Sequence, residues 1–214
     1  MKKMLIGIAV IVFLLGIGWF FMMPPSIDVR VYESLKDPRI TTRPDELVLQ
    51  VIAKGDPNTT VKKSFGLLFG TFMGLDGARA MMPVAPKARW PIEFGIPREQ
   101  YIAHFALPAP AGIKTLAPAE KDELKVELTT WAYGEVAEVL HIGSYNTEEP
   151  TVERLKKFID AQGYEISGPH EEEYIKGPGM FWSGDPSNYY TILRYNVKRR
   201  TPTAEPEPTK ATPR

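Results

Sequence analysis

The sequence predicts an α+β fold. Duplicated strand-helix-strand-strand modules form one antiparallel sheet with helices on one face, preceded by a single transmembrane helix. Three observations carry this reading. A switch from β-rich to helical apolar spacing occurs twice. A glycine closes the first strand of each copy, Gly55 and Gly143, 88 residues apart. An uncharged apolar run lies near the N-terminus.

That run, Met4 to Met23 (MLIGIAVIVFLLGIGWFFMM), holds 20 residues without a charge. At about 1.5 Å per residue it reaches roughly 30 Å, the thickness of a bilayer's hydrocarbon core. Lys2 and Lys3 precede it, and Trp19 lies near its far end, where an amphipathic ring prefers the interface. A cleaved signal peptide is the other reading, but no small-x-small site follows the run, which continues as FFMMPPS. Residues 1–23 are therefore read as a retained anchor, and residues 24–45 as a stalk with a short strand at Ile27 to Tyr32. The two lysines favour an inside N-terminus, which places a single-pass protein's soluble domain outside the cytoplasm. Arg30 and Lys36 on the other flank keep that bias small.

The first copy opens with Glu46 to Ala53 (ELVLQVIA), a β-rich run ending at Gly55. Asp56-Pro57 supplies an N-cap followed by proline at the first helical position. Val61, Phe65, Leu68, Phe69 and Phe72 then form one apolar helical stripe, which ends at Gly74 and Gly77. Arg79 to Pro86 and Gln100 to Leu107 are the further strands of this half. Lys114 to Glu123 links the halves, and Leu124 to Tyr133 enters the second as a strand. The second copy begins with Glu135 to Ile142 (EVAEVLHI), ending at Gly143. Asn146 or Thr147 caps a helix whose first turn holds Glu148, Glu149 and Pro150, acids that suit the helix dipole. Its stripe is Val152, Leu155, Phe158 and Ile159, closed by Gly163. Tyr164 to Lys176 and Tyr189 to Val197 complete it. Two such halves pair around a pseudo-two-fold axis, and the cleft between them is a natural ligand site.

Residues 198–214 (KRRTPTAEPEPTKATPR) are rich in Pro, Thr and charge, and are read as a disordered tail. Residues 46–197 are the folded domain. The chain is neutral overall, but residues 24–197 carry 19 basic and 24 acidic side chains, a net charge of −5. Affinity for phosphate backbones comes from cationic side chains, so this domain is a poor nucleic-acid binder and better suits neutral or cationic ligands. The chain has no cysteine, which excludes disulfides, thiolate metal sites and a cysteine nucleophile.

Four pieces of the second half carry a resemblance: Val136 to Tyr145 (VAEVLHIGSY), the helix ending at Gly163, Gly168 to Tyr174 (GPHEEEY) and Thr191 to Val197 (TILRYNV). Together they resemble the GyrI-like family, which includes the effector-binding domains of AraC-type and MerR-type drug-sensing regulators. Their order and spacing fit over Glu46 to Val197, the C-terminal half being the specific part. The resemblance implies two strand-helix-strand-strand modules enclosing a small-molecule pocket. It also implies a buried glutamate, followed two residues later by a tyrosine, facing cationic or aromatic ligands. Glu172 and Tyr174 hold those positions. The chain departs from regulators in having no helix-turn-helix, and DNA-binding regulation is not implied. Pro178 to Pro186 (PGMFWSGDP) stands as its own variable loop.

Read from the residues, His170, Glu172 and Tyr174 alternate along one strand, so one face carries all three. Glu171 and Glu173 are expected to point to water. A pocket glutamate resists desolvation unless paired, and a cationic ligand supplies that pairing. The same residues also read as solvated acids. Trp131 and Trp182 are the expected pocket walls, with Tyr145 as a third aromatic; ordinary core packing is the alternative for such rings. His104, His141 and His170 lie in separate strands without metal-ligand spacing. A metal would need His170 and Glu172 to recruit a distant ligand, so no metal and no cofactor are expected. No phosphate loop, G-x-S-x-G elbow or H-E-x-x-H motif occurs. The leading expectation is a membrane-tethered protein that binds amphipathic or cationic small molecules. One alternative is a hydrolase of reactive small molecules with Glu172 as general base and Tyr174 as hydrogen-bond donor, favoured if a second acid or base shares the pocket. The other is a structural envelope protein.

Overall fold

The structure is a computed structural model that describes residues 28–91, 97–178 and 184–201. The expected anchor at residues 4–23, Trp182 and most of the tail lie outside the described residues. Among the described residues no helix is long and apolar enough to cross a membrane.

Among the described residues two α-helices and eleven strands form. In the first half, β2 (Glu46–Lys54) is followed by α1 (Pro57–Phe72), β3 (Lys87–Trp90) and β4 (Ile102–Pro108). The second half repeats the order with β8 (Gly134–Ile142), α2 (Glu149–Ala161), β10 (His170–Lys176) and β11 (Tyr190–Arg199). A leading strand precedes each: β1 (Arg39–Arg43) the first and β7 (Glu127–Trp131) the second. β5 (Glu120–Lys121) and β6 (Leu124–Lys125) make a small hairpin in the linker, and β9 (Tyr164–Ile166) pairs with the end of β11.

The main sheet is antiparallel in the order β1-β8-β11-β10-β3-β4-β2-β7. Read outward from the β10–β3 pair, the modules mirror one another: β10-β11-β8 on one side and β3-β4-β2 on the other. The pseudo-two-fold axis therefore passes between β3 and β10, and the leading strands are exchanged across it. β1 runs into β2 yet pairs with β8, while β7 runs into β8 yet pairs with β2. This exchange ties the modules together at both edges of the sheet.

Both helices pack on one face. α1 starts as its sequence dictates: the Asp56 side chain accepts from Asn58 N at 2.9 Å, with Pro57 in the first turn. It sets Phe65, Leu68 and Phe72 against Leu49, Val51, Ala88, Phe105 and Leu107 of the sheet. α2 buries Val152, Leu155 and Ile159 against Ala137, Val139, Leu193 and Tyr195. On the other face the sheet curls, so that Val48 and Ala106 of the first half pack with Tyr133 and Val136 at the start of the second.

Several boundaries differ from expectation. Ile27 to Tyr32 does not give a strand in its described part; Val29–Leu35 is a 3-10 helix, which packs Leu35 onto Leu140 and Ile192. Residues 39–43 of the expected stalk are an edge strand of the domain. Arg79 to Pro86 is not a strand either: Ala78–Met81 forms a 3-10 turn and pairing starts only at Lys87, after Pro83 and Pro86, which have no N–H to give a ladder. The stretch Tyr164 to Lys176 is split at Gly168-Pro169 into β9 and β10. Asn146 and Thr147 do not cap α2 directly; they lie in a 3-10 turn, Tyr145–Thr147, capped by Ser144. The tail begins later than residue 198, because Lys198 and Arg199 pair with Glu165 and Tyr164, and Arg200 N donates to Gly163 O at 3.0 Å.

Candidate functional site

The β3–β10 pair on the pseudo-two-fold axis sets His170 opposite Trp90 and Glu172 opposite Ala88. Alternation turns His170, Glu172 and Tyr174 toward the helices, on the face that also carries Ala88 and Phe105. Glu172 is only 6% exposed there. Tyr174 Oη donates to Glu172 Oε2 at 2.6 Å, and His170 Nε2 lies 3.3 Å from Glu172 Oε1.

A second carboxylate joins them. Glu148 sits between the 3-10 turn after β8 and the first residue of α2, and it is 7% exposed. Ligating atoms of Glu148, His170 and Glu172 all lie within 4.8 Å of one another. Glu148 Oε1 is buried and has no hydrogen-bond partner among the described residues. Nor does any described Lys or Arg form an ion pair with Glu148 or Glu172. Burial, and next the charge of Glu172, push the Glu148 carboxyl up to about 9, opposed weakly by Thr191. Burial and then Glu172 hold the Tyr174 phenol well above its usual value, so it stays a donor.

Aromatic rings close the cluster. Tyr174 packs edge-on against Phe65 of α1, with centroids 6.1 Å apart, and against Tyr145 at 5.5 Å. Tyr145 also leans on Tyr189 at 5.3 Å. The site thus draws on both modules, with Phe65 from one and Tyr145, Glu148 and Glu172 from the other. His141 fixes the turn that carries Tyr145: its Nδ1 lies 3.0 Å from Thr151 Oγ1 and its Nε2 3.2 Å from Ser144 O. Burial lowers the His141 pKa, in keeping with a neutral ring in that role.

The other face of β10 is not wet. Glu171 is 2% exposed, and both Arg194 and Arg89 bond its carboxylate, as does Tyr133 Oη at 3.0 Å. Glu173 is partly buried and bonded by Arg194 Nη2 at 2.9 Å. Arg194, 1% exposed, also meets Glu138 at 3.0 Å. Both acids were expected in water, and the curl of the sheet is what encloses them. Trp131 belongs to this face as well, opposite Glu46 on β2, with its Nε1 donating to Gln50 Oε1 at 2.8 Å and Arg89 stacked 4.1 Å over its ring. It therefore lies across the sheet from Glu172 and does not wall that cluster.

Of the five expected site residues, the structure brings Glu172, Tyr174 and Tyr145 together, sets Trp131 apart, and does not describe Trp182. The sequence presents Glu148 only as an acid that suits the helix dipole. Its neighbour Glu149 is exposed and fits that reading, whereas Glu148 turns inward. A separate open groove of about 730 Å³ runs between α1 and residues 116–124, lined by Gly66, Gly70, Leu75 and Leu116, away from the acidic cluster.

No family model and no curated protein matches the chain. Solved structures do. A conserved protein from Listeria innocua superposes with a TM-score of 0.63 at 21% identity, covering 80% of this chain and 97% of its own. A hydrolase from Listeria innocua gives 0.62 at 20% identity, covering 80% and 96%. The C-terminal domain of EcmrR gives 0.57 at 14% identity, covering 77% and 98%. Likeness at these identities shows the fold alone: this chain shares with these structures the architecture described above, two mirrored strand-helix-strand-strand modules in one antiparallel sheet.

Proposed function

We propose that the domain hydrolyses reactive small molecules at the seam between its modules, with Glu172 as general base. The observation that supports this is the second carboxyl: Glu148 shares the cluster with Glu172, in a setting where two like charges so close and so buried are not both favoured. Glu172 takes a proton from the attacking water, and Glu148 carries a proton to the leaving group. Tyr174 holds Glu172 in place through its 2.6 Å hydrogen bond. A fold shared with a Listeria innocua hydrolase is compatible with this chemistry. Residues 4–23 tether the activity to a membrane in this reading, with the domain outside the cytoplasm. Incubation of the protein with activated esters and epoxides in ¹⁸O-labelled water, followed by mass spectrometry, tests it. Glu172→Gln should lower turnover by about 10²- to 10⁴-fold, the usual weight of a general base. Equal turnover by the variant, or none by the wild type, overturns the reading.

A second reading, capture of a lipophilic cation, has its own support. Two buried carboxyl groups that pair with no described Lys or Arg, beside Tyr145 and Tyr174, form a cation-attracting site. Rhodamine 6G binding that weakens in Glu172→Gln, with no turnover of any ester or epoxide, would favour this reading over hydrolysis.

A further inference from the structure

We infer that Glu148, His170 and Glu172 form a binding site for a first-row divalent cation, of which Zn²⁺ is the best fit. The three side chains come from two places in the chain, the entry to α2 and the central strand β10, and converge with ligating atoms within 4.8 Å. Around a tetrahedral ion with bonds of about 2.1 Å, ligand atoms sit roughly 3.4 Å apart. The 3.3 Å between His170 Nε2 and Glu172 Oε1 already matches one such edge. Glu148 closes the other two by a small side-chain adjustment, and its Oε1 is buried with no hydrogen-bond partner among the described residues.

Charge and donor type agree with the geometry. Two carboxylates and a neutral imidazole balance one divalent ion. No described Lys or Arg neutralises the pair from another side. Polar neighbours on this face include Thr191 and Tyr145 beside Glu148, His141, held at its ring nitrogens by Thr151 and Ser144, and Tyr174, which bonds the other Glu172 oxygen. Mixed imidazole and carboxylate donors suit Zn²⁺, while all-oxygen shells suit Mg²⁺ and Ca²⁺. Three protein ligands leave a fourth position for water or a bound compound.

The inference rests on this geometry and not on hydrolysis, so its test contains no substrate. Full-length protein in detergent, stripped with a chelator, is titrated with Co²⁺ as a visible probe and with Zn²⁺ against a chromophoric chelator. The expected result is one equivalent bound, with the intense visible band of four-coordinate Co²⁺. Glu148→Gln and His170→Gln should each weaken Zn²⁺ binding by at least about tenfold, while Glu149→Gln, an exposed neighbour, should not. Absence of the Co²⁺ band in the wild type, or Zn²⁺ affinity unchanged in both ligand variants, overturns the site. The wild-type band decides the matter even if a variant fails to fold. Turnover without metal uptake removes this inference alone; metal uptake without turnover leaves it standing.

Discussion

Glu171 and Glu172 are adjacent in β10 yet belong to opposite electrostatic environments. Glu171 accepts from Arg194, Arg89 and Tyr133 on the enclosed face, whereas Glu172 meets only Tyr174 and His170 among its described hydrogen-bonding and ionic contacts on the helix face. Near-isosteric substitutions should therefore part sharply. Glu171→Gln leaves the buried Arg194 and the partly buried Arg89 short of a charge and should cost about 3–5 kcal/mol of stability, the scale for breaking a buried ion pair. Glu172→Gln removes a buried charge that no described Lys or Arg pairs, and should leave stability unchanged or slightly higher. Urea denaturation of both variants checks this, and equal losses would show that the two faces do not differ as described.

The end of β11 gives a second expectation. Lys198 and Arg199 pair with Glu165 and Tyr164, and the Arg200 backbone bonds Gly163 at the end of α2. Truncation after Val197 removes these contacts and frees β9, so the melting temperature should fall by several degrees, corresponding to about 1–2 kcal/mol. Truncation after Thr201 removes only Pro-, Thr- and charge-rich sequence and should leave it unchanged. A drop shared equally by both truncations would mean that residues 202–214 also dock.

Much of the architecture was legible because the periodicities are local. Gly55 and Gly143 mark equivalent strand ends, and the stripes at Val61 to Phe72 and Val152 to Ile159 depend only on helical spacing. The shared face of His170, Glu172 and Tyr174 was legible for the same reason. Which faces are dry was not, since that follows from the curl of the whole sheet and from the side chains that cross it. Arg194, 21 to 56 residues from its acid partners, gives no local sign that it neutralises Glu171, Glu173 and Glu138. Glu148 was missed on similar grounds. Its role depends on strand order, which brings the turn after β8 alongside β10 across β11.

His104 supplies a pH dependence. It lies on β4 opposite Arg89 of β3, and burial, then the Arg89 charge, lowers its pKa from the usual 6.5. Between that value and the lowered folded one, the unfolded chain binds more protons than the folded one. This contribution to stability is present above about pH 6.5 and is lost as pH falls through the lowered folded value. His104→Gln should flatten the decline between pH 7 and pH 5, measured as urea midpoints. A parallel decline in both proteins would assign the effect to other groups.

Gly177 governs where Tyr145 sits. A Cβ placed on Gly177 would lie 2.5 Å from Tyr145 Oη, too close for either to stay. Gly177 has no left-handed backbone angle, so alanine imposes no backbone strain there. The phenol end of Tyr145 is the part that must give way, swinging the ring off Tyr174 and Tyr189. Because Tyr145 is 38% exposed, that movement costs little core packing, and Gly177→Ala should lower stability by less than about 1.5 kcal/mol. Its effect on the site should be larger. With the ring displaced, the Glu148–Glu172 pair loses part of its cover, and iodide quenching of the protein's tyrosine fluorescence should rise. Turnover or cation capture, whichever the wild type shows, should change by about tenfold or more, as expected when a wall that positions a ligand moves by an ångström or so. Tyr145→Phe is the companion variant. It removes only the hydroxyl beside Gly177, so Gly177→Ala combined with Tyr145→Phe should recover much of the wild-type behaviour. If Gly177→Ala leaves both quenching and ligand chemistry unchanged, Tyr145 is not part of the site.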